Sequence, residues 1–152
     1  MKNYIINFDS DIIPGSSIGG ISLGDCTEDV FECIADTFDV EISEFENFGG
    51  RYVSYEVSGG AITFVAREDG KISALWCKPP YKGRFDRRFY PGITAGELKS
   101  VSRRQEIFDG YLVVDRNYLI YYGMPEDIDD FNSFSDLDDG VVFNELHVGK
   151  LR

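Results

Sequence analysis

The side chains here that could do chemistry are one histidine, three cysteines and a large excess of carboxylates. His147 stands in a β-branched and apolar run, and nothing marks a nucleophile for it to serve. A Ser-His-acid relay is therefore not indicated, and a structural role is the reading. Cys26, Cys33 and Cys77 are an odd set with no closed framework, which points to free thiols in a reducing compartment. Cys26 and Cys33 are farther apart in sequence than the usual zinc-binding thiolate pair and have no neighbouring histidine, so no metal site is expected. No glycine loop with lysine is present to cradle phosphate. Carboxylates suffice for a two-acid hydrolase, but no pattern specifies its pocket. No catalytic residue and no cofactor is assigned.

The densest carboxylate run is residues 126–140. It holds Glu126, Asp127, Asp129, Asp130, Asp136, Asp138 and Asp139, interleaved with Phe131, Phe134 and Leu137. A calcium loop needs glycine at its sixth position and glutamate at its twelfth. Counted from Asp136, Gly140 is fifth and Glu145 tenth, so the match fails. Two readings remain: a solvated acidic loop, or a partner-binding loop in which apolar side chains stand exposed among charges. Glu41, Glu44 and Glu46, around Phe45, form a second stretch of the same kind.

The elements that must position these residues are organised around a segment used twice. Gly20-Ile21-Ser22-Leu23-Gly24-Asp25 is echoed by Gly92-Ile93-Thr94-Ala95-Gly96-Glu97. Each precedes a helical pattern, and a strand-rich segment follows. The first helix has two candidate starts, a Ser22 cap with Asp25 or an Asp25 cap with Glu28, and the second offers Thr94 with Glu97. Cys26, Val30, Cys33, Ile34 and Phe38 share one face of the first helix, which predicts that both cysteines face the core.

Residues 4–8 read as a strand, residues 9–17 as a loop, and residues 39–50 as strand or loop. Residues 51–57, 61–67 and 71–77 form an antiparallel meander, with Gly59-Gly60 and Asp69-Gly70 supplying the turns. Trp76 is predicted to share a core face with Ile72 and Ala74. Residues 81–90 hold Lys82, Arg84, Arg87 and Arg88 among aromatics, and read as an inter-repeat linker that pairs with the chain's own acids. A hairpin at 111–122 and a last strand at 141–148 complete the second copy. The expectation is one α+β domain over residues 1–152, mostly antiparallel sheet with two helices, with degenerate turn-helix-sheet repeats at 15–78 and 88–150.

Fifteen Lys and Arg face 27 Asp and Glu, giving a formal net charge of −12. That balance opposes binding to nucleic acid and to anionic membranes, and it steers a basic macromolecule toward this surface. No run approaches the ~18 apolar residues of a membrane span. The N-terminal residues hold no apolar run of signal-peptide length, so the cytoplasm is the expected compartment.

A small acidic α+β chain with Ile-Gly-Gly-Ile-Ser-Leu-Gly-Asp at residues 18–25 resembles the immunity proteins of bacterial contact-dependent growth inhibition and related polymorphic toxin systems. The resemblance implies stoichiometric binding of one cognate toxin domain, often a nuclease, and obstruction of its active site. It carries no functional residue across by motif. The two helix-plus-sheet units are also similar to tandem-repeat inhibitors such as the β-lactamase inhibitory proteins, which are secreted. The expected function is thus an antitoxin for a basic toxin domain. Its contact residues are expected in the loop (Asp127, Asp129, Asp130, Phe131, Phe134, Asp136, Asp138, Asp139) and at Glu41, Glu44 and Glu46. The alternative is a small enzyme or ligand-binding domain that uses carboxylates on a sheet face.

Overall fold

A computed structural model describes residues 4–47, 49–125 and 133–151. Residues 17–22 form a small ribbon of β1 (Ser17–Ile18) and β2 (Ile21–Ser22), turned by Gly19 and Gly20 in the left-handed region. Then come helix α1 (Thr27–Ile34) and a four-strand meander: β3 (Val40–Asn47), β4 (Gly50–Val57), β5 (Ile62–Ala66) and β6 (Ile72–Cys77). The second half repeats the plan. β7 (Ile93–Thr94) leads into α2 (Ala95–Val101), followed by β8 (Gln105–Phe108), β9 (Tyr111–Val114) and β10 (Ile120–Gly123). A 3-10 turn at Phe134–Asp136 precedes β11 (Val142–Phe143), which pairs with β7, and β12 (Leu146–Val148).

Eight of these strands make one antiparallel sheet in the order β3-β4-β5-β6-β12-β10-β9-β8. Each half supplies four adjacent strands, and the halves meet where β6 pairs with β12. This is an α+β fold. Gly20 and Gly92, the first residues of the two echoed segments, have φ of 96° and 93°. A Cβ at Gly20 would also collide with the Ile5 carbonyl oxygen, so only glycine fits that turn. The following Ile21 and Ile93 are both fully buried.

Both helices pack on the same face of the sheet. Val30 and Ile34 from α1 join Ala95 and Leu98 from α2 in a single core with Val57, Phe64, Leu75, Leu112, Tyr122, Leu146 and Val148. Strand alternation turns the intervening residues to the opposite face. Thr94 caps α2 as its sequence predicts, its Oγ1 accepting the Glu97 N–H at 3.2 Å. α1 is capped by neither predicted residue. Asp25 instead accepts the Ser22 N–H at 2.9 Å and closes the turn before the helix.

Four expectations need correction. Residues 4–8 form no strand: the segment docks through the Asn7 N–H to the Gly19 carbonyl, and the Phe8 carbonyl accepts the Lys82 and Gly83 N–H groups. Cys26 is exposed and Cys33 only half-buried, because the helix begins at Thr27 and buries Thr27, Val30 and Ile34. Residues 141–148 are two short strands in different sheets rather than one. Trp76 lies on the opposite face from Ile72. β6 carries an extra residue, Ser73, between the pairs Val65↔Ala74 and Ala66↔Ile72, and this bulge reverses the alternation. Ile72 and Leu75 therefore both enter the core.

Phe64 is fully buried and stacks on Tyr55 with centroids 4.8 Å apart. Phe64→Ala is expected to cost about 3–5 kcal/mol in denaturant unfolding. Thiol labelling should modify Cys26 at once and Cys33 more slowly. Cys77 should react only on unfolding, since burial raises its thiol pKa and the Sγ donates to the Leu146 carbonyl at 3.7 Å.

Candidate partner-binding face

The face opposite the helices carries one row of residues set directly side by side. Register places Glu41 beside Glu56, Glu56 beside Thr63, and Thr63 beside Trp76. Trp76 then stands beside His147, and His147 beside Tyr121. Farther along the sheet, Glu106 stands beside Val113, which is fully buried. The row is aromatic from Trp76 to Tyr121, with carboxylates beyond it on either side.

The rings touch in sequence. Trp76 stacks on His147 at 5.1 Å, and His147 stacks on Tyr121 at 5.5 Å with the planes 11° apart. Tyr111 meets Tyr121 and His147 edge-on, at 4.7 and 5.5 Å. These rings are half-buried and lie outside the core cluster. Glu106 is oriented by the Tyr118 hydroxyl, which donates to it at 2.5 Å.

His147 Nε2 lies 3.2 Å from Glu145 Oε1, a bond that the ring donates because the carboxylate only accepts. This hydrogen bond holds the Glu145 pKa below its ordinary value, against the opposing effect of burial, with the charges of His147 and Lys78 assisting. Glu145 and Lys78 border a cleft of about 800 Å³ together with Gly123, Met124, Asp138 and Asn144. A carboxylate kept ionised suits a fixed negative charge and not a proton donor at neutral pH. The surface can thus hold cationic side chains on ring faces and between carboxylates.

The structure treats the sequence candidates unequally. Asp127, Asp129, Asp130 and Phe131 lie outside the described residues. Phe134 is not a surface anchor: it is buried against Phe143, with the Lys99 ammonium 5.7 Å above its ring. Leu137 is buried as well. Asp136 closes its own 3-10 turn by accepting the Ser133 N–H, and Asp139 pairs with Lys99 at 2.9 Å. Asp138 is exposed at the rim of the cleft. The described part of this loop is tied to the body through Phe134 and Leu137 rather than displaying them.

Glu41, Glu44 and Glu46 all fall on β3, exposed along almost its whole length. Alternation splits them, with Glu41 on the outer face and Glu44 and Glu46 on the other. Sequence reasoning did not select Tyr111, Tyr121, Glu145 or His147 as contacts. The signal available was phase: Tyr121 alternates with Ile120 and Tyr122, and His147 with Leu146 and Val148. Trp76 gave no such signal, because its bulge is invisible in the pattern.

The basic cluster at residues 81–90 pairs with the chain's acids through Arg88. Arg88 pairs with Asp86 at 2.5 Å, Arg84 lies 4.3 Å from the Tyr90 ring centre, and Tyr81 and Phe89 are buried. No helix among the described residues is long and apolar enough to cross a membrane. Comparison with protein-family models, with curated proteins and with solved structures finds no match to this chain.

The Glu145 shift sets a pH dependence. A carboxylate whose folded pKa is lowered stabilises fully above its unfolded value, near 4.5, and loses that contribution as pH falls through the folded pKa. The stability difference between the wild type and Glu145→Gln should shrink toward zero as pH falls below about 4.5. Urea midpoints measured between pH 3 and pH 7 check this.

Proposed function

We propose that this chain is an immunity protein, an antitoxin that binds a basic toxin domain stoichiometrically and without catalysis in the bacterial cytoplasm. The observation that carries this reading is the aromatic row Trp76, His147, Tyr121 on the sheet face away from the helices, flanked by Glu41, Glu56 and Glu106. Tryptophan and tyrosine in half-buried clusters are the side chains that concentrate binding energy at protein interfaces. Carboxylates around them add encounter rate and selectivity for a basic partner, in keeping with the net charge of −12. The resemblance of residues 18–25 and the exposed free thiol of Cys26 agree with this assignment.

The cleft beside Lys78 and Glu145 favours a second reading, a domain that binds a small ligand there. Its prediction differs, since it needs no protein partner.

Co-expression with the C-terminal region of the protein encoded immediately upstream separates the two. The immunity reading expects rescue of growth and a one-to-one complex whose association slows as salt rises. Trp76→Ala and Tyr121→Ala should each weaken that complex about 30-fold or more, the scale of a ~2 kcal/mol hot spot, with thermal stability retained. A harmless neighbour, or no complex at any salt, counts against it.

A further inference from the structure

β3 is the end strand of the eight-stranded sheet, and among the described residues nothing pairs with its outer edge. The opposite end strand, β8, has four residues and lies beside the 3-10 turn at Phe134–Asp136. β3 has eight, about 27 Å of extended backbone. Edge strands are commonly protected by proline, a bulge or charged side chains. β3 has neither proline nor bulge, and its charges are all carboxylates, which repel a like edge and admit a basic one. Its register with β4 is unbroken from Val40↔Val57 to Asn47↔Gly50.

The direction of its backbone groups follows from one bond. The Asp39 carbonyl accepts the Ser58 N–H at 2.8 Å, so Asp39 faces β4. In an antiparallel ladder such residues alternate. Val40, Ile42, Glu44 and Glu46 therefore direct their N–H and C=O groups at the free edge. Beyond the pair Val53↔Ala66, β5 ends and the β3–β4 hairpin continues as an arm. Phe45 stacks on Tyr52 at 5.3 Å, with Arg67 5.8 Å from that ring centre, and these contacts hold the arm flat against its own strand.

We propose that the β3 edge is a docking site for an extended, basic segment of the partner, which adds a ninth strand to the sheet. This rests on the immunity reading above and specifies its mode of contact. The added strand would take backbone bonds from Ile42, Glu44 and Glu46. On the face of Glu44 and Glu46 it would place Lys or Arg, and on the other face, beside Phe45, which is 42% exposed, apolar side chains. Charge selects this occupant over a second copy of the chain. β3 holds no cation, and two copies edge to edge would bring two sets of Glu41, Glu44 and Glu46 into one ladder. Among the described residues the cation paired with those carboxylates is Arg51, 3.9 Å from Glu46 and itself exposed.

A blocked ten-residue peptide of alternating lysine and valine, added to the full chain at low salt, tests this by amide hydrogen exchange. The Ile42, Glu44 and Glu46 amides should gain at least tenfold protection, while β8 amides do not change. The same peptide with alternate valines N-methylated should bind at least tenfold more weakly. Glu44→Pro removes one outward N–H and leaves the β4 ladder its bonds, so it should also weaken binding tenfold. Glu44→Gln with Glu46→Gln should weaken it mainly at low salt. Equal binding by the methylated peptide, protection elsewhere, or no binding at millimolar peptide would overturn the proposal. So would protection of these amides that rises with protein concentration alone, the mark of a second copy. Growth rescue without β3 protection would leave the immunity reading standing and remove this docking mode; β3 protection without rescue would do the reverse.

Discussion

β6 and β12 pair over three positions, Cys77↔Leu146, Trp76↔His147 and Leu75↔Val148, and that contact joins two four-stranded halves into one sheet. Without it each half would be a short helix over an open meander, with a small core. With it, Cys77, Leu75, Leu146 and Val148 close the middle of a continuous core beneath both helices. The same three pairs set Trp76 against His147 on the other face. The interior and the candidate binding surface are therefore two sides of one seam.

The halves share a plan but not an edge. The second half ends on a short strand beside a 3-10 turn, and its helix is capped by Thr94. The first half ends on β3, a long strand that is exposed beyond Val40. Core burial supports the strands near the seam, and the support falls away toward the arm, where the β3–β4 ladder and the contacts of Phe45, Tyr52 and Arg67 hold the hairpin. This gradient leaves backbone available at one end of the sheet and aromatic rings available at its centre.

Charge is distributed in the same sense. Several cations are used locally: Arg88 with Asp86, Lys99 with Asp139, Arg84 over Tyr90. Carboxylates flank the aromatic row and run along β3. A surface of this kind repels copies of itself and attracts a basic body, and its aromatic centre offers burial once the two have met.

The sequence by itself determined the α+β class, the central meander, the second hairpin and the duplicated Gly-Ile turn. Period-two alternation, glycine at positive φ and a Thr-Glu cap are local signals with local causes. It also marked Glu41, Glu44 and Glu46 as a group, because their density needs no fold to be seen. Only the tertiary structure decided that Phe134 is buried, that Cys26 is exposed and that Trp76 turns away from Ile72. Each depends on where a neighbouring element stops or on a single extra residue in a strand. The aromatic row is the clearest case. Trp76, Tyr121 and His147 come from three strands far apart in sequence, and only strand register, fixed by burial of the opposite face, brings their rings together.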